Sequence, residues 1–446
     1  MSLLSGVYGR AARFRRAWYG GRPYRTRQLA QPVISVGNLV VGGSGKTPVV
    51  AALARLLVAA GERPAILTRG YGRRTIADGV VVVSDGHEVL VPTRQSGDEP
   101  QMLARALPGV PVLVSPDRYL AGCLAERTFG CTVHLLDDGF QHVQLARDID
   151  LLVMAAADLD ERLLPWGRLR EPLETAAAAD ALLVSGTEEE AASVAGTLGI
   201  SNVFHVVPRY EAPRFVGTPG AVSERGRRVV AVAGIARPER FFAALRAEGR
   251  DGPRDQHWDE RRDQPLDQPL DQHWDVVREI VFRDHHWFSR RDLAAIQQAA
   301  VDAGADLVMT TEKDAMRLDG ESVASNVGGS AVVSAAESSI GSAGASVGVN
   351  VGVNVGVGAV PWAFLPQHVG IEPAASFATW MHDRLDTIRD AVRQRTAQSA
   401  PADWIAQWQW TVSPAVAGRV ASRQGVAPPA VAGWVASRPE DGGETT

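Results

Sequence analysis

The most informative chemical feature of the sequence is a glycine-rich stretch that contains one of its only two lysines. Residues 33–48 read VISVGNLVVGGSGKTP, an apolar strand pattern followed by a glycine-rich turn and the start of a helical pattern. In a phosphate-binding loop, backbone N–H groups face the phosphates, the lysine reaches the β/γ oxygens and the next hydroxyl binds Mg²⁺. The first glycine of G-x4-G-K-[ST] is absent here. We expect a nucleoside triphosphate to bind at Val40, Val41, Gly42, Gly43, Ser44, Gly45, Lys46 and Thr47.

Two acids follow a second strand pattern. Residues 133–142 read VHLLDDGFQH, so Asp137 and Asp138 lie at the end of an apolar run. Carboxylates at the tip of a strand in an open α/β sheet can hold Mg²⁺ or its waters beside a nucleotide. The alternative is a turn that merely favours Asp-Gly. We expect Thr47 and one or both of these acids to organise Mg²⁺.

Three further clusters of ionisable residues match no short motif. Asp98 and Glu99 open a helical pattern, so they could be capping charges or a general base. The run Asp284-His285-His286 follows an apolar run, where open α/β sheets bind ligands, and we assign His286 a structural role. Residues 311–314, TEKD, hold the second lysine and do not match the guanine-binding N-K-x-D, so GTP specificity is unsupported.

The elements that must position these residues follow an alternating pattern. Short β-branched runs alternate with helical patterns, which predicts an α/β fold with parallel sheets covered on both faces. We expect one domain over 28–215 and a second over 228–386. Strands are predicted at 33–36, 65–68, 110–114, 132–136, 149–154, 181–184, 203–207, 229–233, 279–282 and 306–310.

Three repetitive segments interrupt this pattern. DQHWD occurs at 255–259 and again at 271–275, and residues 322–358 are mostly Ser, Gly, Val and Asn. Beyond residue 386, PAVAG(R/W)VASR occurs twice. Two copies are too few for a solenoid. We interpret the regions near 251–275 and 320–360 as low-complexity insertions and 387–446 as a disordered tail.

Composition and charge exclude several classes of protein. The 446 residues are 45% hydrophobic and 22% charged, with a net charge of −5. These values are typical of a globular chain and argue against a disordered protein or a general nucleic-acid binder. No stretch reaches the roughly 20 apolar residues of a spanning helix, and no signal-peptide pattern is present.

The first 27 residues contain seven arginines and no acid. An apolar stripe at helical spacing, with aromatic residues among arginines, is typical of a helix at the surface of an anionic membrane. The alternative is a helix packed on the protein's own core. We expect removal of residues 1–20 to weaken membrane binding and leave nucleotide binding intact. The stripe consists of Leu4, Val7, Ala11, Phe14 and Trp18.

Nine segments, taken in order, resemble a single enzyme family. They are VGNLVVGGSGKTP (36–48), LTRGYGRR (67–74), GDEPQMLA (97–104), SPDR (115–118), LLDDGFQH (135–142), LLPWGRLREPL (163–173), AVAGIARPERFF (231–242), FRDHHWFS (282–289) and TTEKDAMRL (310–318). This set is similar to the tetraacyldisaccharide 4′-kinases, the lipid A 4′-kinases of Gram-negative envelope biosynthesis. That family also lacks the first glycine of the loop motif.

The resemblance implies a fold, a reaction and a location. The fold is a P-loop NTPase-like α/β/α sandwich with a second, smaller α/β/α domain. The reaction transfers the γ-phosphate of ATP, with Mg²⁺, to the 4′-hydroxyl of a tetraacyl glucosamine disaccharide 1-phosphate, which gives lipid IVA. The lipid-linked substrate implies peripheral contact with the cytoplasmic face of the inner membrane. No nucleic-acid or protein partner is implied.

The resemblance also implies roles for individual residues. Asp98 resembles the family's catalytic base and His285 its partner, with Asp284 beside it. These residues are distant in sequence and are expected to meet when the two domains close. Residues in matching motifs that are expected to line the site are Tyr71, Arg118, His142 and Glu171.

Two other functions compete with this reading. A P-loop ATPase switch or partitioning protein often carries a second lysine near the start of the loop, where this chain has Val40 and Val41. Such a switch does not explain DDGFQH, DHHWFS and LPWGRLREPL together. A kinase of a soluble metabolite is the third reading, and the arginine-rich start does not favour it.

Overall fold

The computed structural model describes residues 3–20, 26–75, 79–216, 228–246, 274–318 and 360–396, with two short strands at 409–410 and 436–437. Two compact units are present, the first made of Met1–Arg209 and His368–Thr446, the second of Tyr210–Gln367. The second unit is therefore inserted into the first. The first boundary lies between Arg209 and Tyr210, slightly before the predicted 215, and the chain returns to the first unit at His368, before the predicted 386.

The first part of the first unit alternates strands and helices. In chain order it contains α1 (Leu3–Gly20), β1 (Val33–Gly37), α2 (Lys46–Ala59), β2 (Pro64–Thr68), β3 (Val81–Asp85), α3 (Thr93–Ser96), α4 (Asp98–Ala106), β4 (Pro111–Val114), α5 (Arg118–Phe129), β5 (Val133–Asp137), β6 (Ile149–Ala155), β7 (Ala181–Ser185), α6 (Glu188–Leu198) and β8 (Val203–Tyr210). Short 3₁₀ turns lie at Ala156–Asp158 and Leu173–Ala178.

The rest of the chain forms the second unit and then returns to the first. The second unit contains β9 (Arg214–Phe215), β10 (Arg228–Ala233), α7 (Pro238–Arg246), β11 (Asp275–Val281), α8 (Arg290–Asp302), β12 (Leu307–Thr311), α9 (Glu312–Ala315) and β13 (Trp362–Leu365). The returning segment contains β14 (Gln367–Glu372) and α10 (Ala374–Thr396).

The first unit is built on one nine-stranded sheet with the order β14-β8-β7-β6-β1-β5-β2-β4-β3. The run from β8 to β4 is parallel, and β3 pairs antiparallel with β4. Ile34 and Val36 pack with α2, α4 and α10 on one face, while Val33 packs with α5 on the other. Helices therefore cover both faces, as predicted, and every predicted strand overlaps an observed one.

The second unit repeats this plan on a smaller scale. Its sheet has the order β11-β10-β12-β13-β9, in which the first four strands are parallel and β9 is antiparallel. Val229 and Ala231 pack with α7, and Val230 and Val232 pack with α8. The fold class predicted from the sequence, a P-loop NTPase-like sandwich with a second, smaller α/β/α domain, is confirmed.

The low-complexity segments are only partly insertions. Trp274, in the second DQHWD copy, is buried in the core beside α7, and Asp275 begins β11. The predicted insertion near 251–275 is therefore wrong at its end. The first copy and residues 319–359 lie outside the described residues. Helix α10 extends to Thr396 and the two short strands pair antiparallel, so these parts of the predicted disordered tail are ordered.

Helix α1 packs on the first unit through the face opposite its apolar stripe. Ser5 is buried and its Oγ donates to the carbonyl of Leu163 at 3.4 Å. A Cβ at Gly9 would lie 2.9 Å from Cδ1 of Leu163. The stripe is exposed, to 60% at Leu4 and 66% at Phe14. The helix therefore packs on the protein, as the alternative expected, but its apolar stripe remains exposed. None of the described helices is both long and apolar enough to cross a membrane.

Candidate functional site

The glycine-rich loop connects buried strand β1 to helix α2. Asn38 follows β1, and its Nδ2 donates to the carbonyl of Val40 at 2.8 Å. Gly45 precedes α2 with φ 76°, a left-handed conformation that glycine adopts without strain. Lys46 Nζ donates to Asn38 Oδ1 at 3.0 Å and lies 3.3 Å from Asp138 Oδ1. The start of α2 and the lysine together form a site suited to phosphate.

Asp137 ends β5, which pairs directly with β1, and its side chain is buried. Thr68 Oγ1 donates to Asp137 Oδ2 at 3.2 Å. Burial raises the pKa of Asp137 to about 7, with further contributions from the carboxylates of Glu99 and Asp138. Mg²⁺ in proteins takes one or two carboxylates together with phosphate oxygens. The acid pair and the Thr47 hydroxyl are therefore a donor set that fits Mg²⁺.

Asp138 is held between two cations. Arg170 binds it through both terminal nitrogens, NH1 at 3.0 Å from Oδ2 and NH2 at 2.9 Å from Oδ1. Burial alone would raise the pKa of Asp138, but Lys46 and Arg170 outweigh burial and hold it below its usual range. Arg170 also donates to the carbonyl of Asn38 at 3.2 Å. This arginine thus joins the glycine-rich loop to the acid pair.

Sequence reasoning missed Arg170, although the segment that contains it was matched to a family motif. That segment pairs with the glycine-rich loop through an antiparallel bridge between Val40 and Leu169. Val41 N donates to the carbonyl of Arg168 at 2.8 Å, and Arg168 Nε donates back to the Val41 carbonyl at 3.1 Å. The bridge brings the guanidinium of Arg170 to Asp138. The two residues are 32 positions apart, and no spacing rule relates them.

Asp98 begins helix α4 immediately after Gly97. The glycine has φ 93°, and a Cβ there would lie 2.7 Å from the carbonyl oxygen of Tyr71. The Asp98 side chain is buried, and its Oδ1 accepts from the N–H of Glu99 at 2.9 Å. Tyr71 itself is exposed. The carboxylate of Glu99, the next residue of α4, contributes to the raised pKa of Asp137.

Three of the predicted site-lining residues are buried or half-buried beside charged groups. Burial and the nearby charge of Arg69 lower the pKa of Arg118 to about 10. Burial and the charge of Arg118 lower the pKa of His142 to about 4. Among the described residues, Arg118 Nε and His142 Nε2 have no hydrogen-bond partner. Glu171 is buried and forms an ion pair with Arg16 at 2.9 Å.

The second unit has its own polar cluster after strands β11 and β12. His285 adopts φ 58°, and its N–H donates to the carbonyl of Gly234 at 3.2 Å. Its Nε2 lies 3.2 Å from Lys313 Nζ, which is also 3.6 Å from Asp284 Oδ1. Because an ammonium group only donates, Nε2 of His285 is the acceptor and the ring proton is on Nδ1. Lys313, the second lysine, therefore fixes the tautomer of His285.

The neighbouring residues hold this cluster in place. His286 stacks on Phe282 with ring centroids 4.6 Å apart, and its Nε2 lies 3.1 Å from Asp292 Oδ2. Its predicted structural role is therefore confirmed. Arg317 forms a fully buried ion pair with Asp314 at 2.7 Å and donates to the His286 carbonyl at 3.1 Å. This pair fixes the loop between β11 and α8.

The predicted site residues divide between the two units. The glycine-rich loop, both acids of the pair, Asp98 and the four site-lining residues belong to the first unit, and Asp284 and His285 belong to the second. The predicted catalytic base, Asp98, and its predicted partner, His285, therefore belong to different units.

A strand, a glycine-rich loop with Lys46 and a helix, set in a mostly parallel α/β/α sheet, define a P-loop nucleotide-binding protein. The family model for tetraacyldisaccharide-1-P 4′-kinase matches residues 1–263 and 266–343. A tetraacyldisaccharide 4′-kinase of Geobacter metallireducens is 39% identical over 71% of this chain and 88% of its own length. The chain belongs to the tetraacyldisaccharide-1-P 4′-kinase family.

Two further proteins agree with this assignment. A tetraacyldisaccharide 4′-kinase of Geobacter sulfurreducens is 37% identical over 71% of this chain and 83% of its own length. The crystal structure of LpxK from Aquifex aeolicus in complex with ATP superposes with a TM-score of 0.57 at 27% identity. That match covers 86% of this chain and 97% of the Aquifex chain.

Proposed function

We propose that the chain transfers the γ-phosphate of ATP to the 4′-hydroxyl of a tetraacyl glucosamine disaccharide 1-phosphate, which gives lipid IVA for lipid A biosynthesis. The observation that carries the proposal is the network in which Lys46 and Arg170 hold Asp138 beside the glycine-rich loop. The chain that contains this network belongs to a 4′-kinase family. A nucleotide switch would have no need of the polar cluster around His285.

The first unit would bind and orient the nucleotide. The N–H groups of residues 42–45 and the ammonium of Lys46 would contact the β- and γ-phosphates. Thr47, Asp137 and Asp138 would hold Mg²⁺, which when bound neutralises charge on the phosphate oxygens. Arg170 would keep Asp138 ionised and in place. Phosphoryl transfer depends mainly on positioning and charge stabilisation, and these residues supply both.

The base would come from Asp98 with His285 as its partner. As the 4′-oxygen attacks the γ-phosphorus, its proton passes to the Asp98 carboxylate and the bond to the bridging oxygen of ADP breaks. His285, with its proton fixed on Nδ1 by Lys313, would donate to Asp98 and orient it.

Contact with the membrane would be made by α1. Its exposed face carries Leu4, Val7, Phe14 and Trp18, and the rings of Phe14 and Trp18 are 5.7 Å apart. Exposed Arg10 and Arg13 flank this stripe. Aromatic and aliphatic side chains among arginines suit an anionic lipid surface. We infer peripheral attachment to the cytoplasmic face of the inner membrane, where a lipid-linked substrate would be found.

The decisive experiment measures transfer of label from γ-³²P-ATP to a tetraacyl disaccharide 1-phosphate in detergent micelles. Mg²⁺-dependent labelling of the lipid is expected, with none of a deacylated disaccharide at the same concentration. ATP hydrolysis without lipid labelling would support a switch, and preferential labelling of the deacylated sugar would support a soluble-metabolite kinase. Either result would refute the proposal.

A further inference from the structure

Helix α1 contacts two chain segments, the one that contains Asp138 and the one that contains its partner Arg170. Tyr8 Oη donates to the carbonyl of Arg170 at 3.0 Å, and Arg15 NH1 donates to the carbonyl of Gln141 at 2.9 Å. Arg16 contacts both segments at once. The helix with the exposed apolar stripe therefore also supports the two segments that carry Asp138 and Arg170.

Arg16 makes the most extensive of these contacts. Its NH2 donates to the carbonyl of Phe140 at 3.1 Å and to Glu171 Oε2 at 2.9 Å. The guanidinium carbon lies 4.2 Å from the centre of the Phe140 ring, a cation–π contact. The Arg16 side chain is only 17% exposed and that of Glu171 only 5%. An ion pair this shielded is screened much less by salt than a surface pair.

Phe140 and Glu171, which Arg16 joins, are each near a residue of the nucleotide site in the sequence. Phe140 lies two residues after Asp138, and Glu171 directly follows Arg170. Asp138 and Arg170 are themselves joined by two hydrogen bonds. Arg16 thus closes a second link between the same two segments. The direct hydrogen bonds between the two segments involve the Asp138 carboxylate, which would also have to serve Mg²⁺.

We propose that Arg16 is a positioning residue for phosphate transfer, which clamps the acid-pair loop to the segment of Arg170 from the membrane-facing helix. The inference rests on the proposed function. It also changes one expectation from the sequence. Removal of residues 1–20 would take away the contacts of Tyr8, Arg15 and Arg16, so it should impair Mg²⁺·ATP use as well as membrane binding.

Point variants of α1 separate the two roles. Arg16→Ala should lower kcat in detergent micelles about 10–100-fold, as removal of outer-shell partners of metal ligands does. It should raise the Mg²⁺ concentration for half-maximal rate and leave binding to anionic vesicles unchanged. Arg13→Ala, an exposed arginine on the same helix, is the matched control. It should lose vesicle affinity at low salt, and its Mg²⁺ concentration for half-maximal rate should not shift.

Two additional variants keep the result independent of folding. Arg16→Lys keeps the charge but loses the planar guanidinium that lies over the Phe140 ring, so a partial recovery of kcat and of the Mg²⁺ requirement is expected. Glu171→Gln combined with Arg16→Ala should be less impaired than the product of the single defects. Thermal unfolding identifies any variant that fails to fold. Wild-type kcat and Mg²⁺ dependence in folded Arg16→Ala would overturn the inference, as would a loss confined to vesicle binding.

Failure of the proposed function would be recognised separately. If the wild-type chain does not phosphorylate the lipid, the proposed reaction is wrong. Mg²⁺-dependent binding of a fluorescent ATP analogue would still test Arg16, because its contacts concern the acid-pair loop and not the acceptor. Equal Mg²⁺ dependence of analogue binding in the wild type and Arg16→Ala would then refute the positioning role.

Discussion

Replacing Arg170 by alanine should damage the phosphate-transfer site more than the fold. The change removes two hydrogen bonds to Asp138, at 3.0 and 2.9 Å, and one to the carbonyl of Asn38 at 3.2 Å. Hydrogen bonds to charged groups contribute about 1.5–3 kcal/mol when buried, and exposed ion pairs contribute about 0–1 kcal/mol. The side chains of Arg170 and Asp138 are 21% and 41% exposed, which places the pair nearer the lower range. We expect a loss of about 1 kcal/mol in the free energy of unfolding.

Activity should fall by more than this loss of stability suggests. With Arg170 absent, Lys46 becomes the main cation beside Asp138, at 3.3 Å, and is drawn away from the phosphates. The pKa of Asp138, held low by both cations, should rise toward its ordinary value. A fall in kcat of about 10–100-fold is expected, the range found for outer-shell partners of metal ligands.

The assay is a titration of ATP and Mg²⁺ with the lipid acceptor, alongside thermal unfolding. Arg170→Lys is the matched control, since it keeps a positive charge and loses the two-pronged geometry. It should recover stability better than it recovers kcat. A folded Arg170→Ala protein with unchanged kcat and Mg²⁺ requirement would show that Asp138 does not need this partner, and the network would not be functional.

Further variants and one pH titration test the other predictions. Lys46→Ala should abolish most turnover with the fold retained, by circular dichroism, and near-normal turnover would contradict the phosphate-loop assignment. Asp98→Ala and His285→Ala should each lower kcat strongly with little effect on ATP affinity. Their double variant should be much less impaired than the product of the two defects, whereas independent, multiplying defects would argue against a working pair. The pKa of Asp137 is raised from 3.8 to about 7, so the folded state binds its proton more tightly than the unfolded state. Without nucleotide and Mg²⁺, stability should therefore fall as pH rises from about 4 to about 7, and a flat profile would contradict this. Deletion of residues 255–271 should cost little activity because it ends before the buried Trp274, and a large loss in a folded variant would assign these residues a function.

Local sequence signals located much of the site. A strand, a glycine-rich turn and a helix form from adjacent residues, so the position of Lys46 could be predicted from periodicity and composition. Asp137 could be placed in the same way, because parallel strands present their carboxyl ends at one edge of the sheet. The ten predicted strands all overlap observed ones, since each is a short β-branched run.

Contacts between distant segments were not predictable. Arg170 reaches Asp138 only because residues 168–169 pair with the glycine-rich loop, and backbone pairing of this kind leaves no periodic signal. The role of Arg16 depends on which side of α1 is buried. The apolar stripe marks the exposed side of α1. The side in contact with the protein carries Gly9 and Arg16, which pairs with Glu171. The sequence also gave no sign that β14 and α10 belong to the first unit, because they follow a long low-complexity stretch.

The insertion of the second unit into the first has a consequence for folding during synthesis on the ribosome. Strand β8 is followed by the whole second unit before its neighbour β14 is made. At about 5–20 residues per second, the roughly 160 intervening residues take on the order of ten to thirty seconds. During that interval β8 is an open edge, and such edges pair with other chains. The nascent first unit also lacks α10, whose Phe377 and Met381 close its core. The time for which nascent β8 is exposed to aggregation is thus set by the length of the inserted unit, including its low-complexity segments.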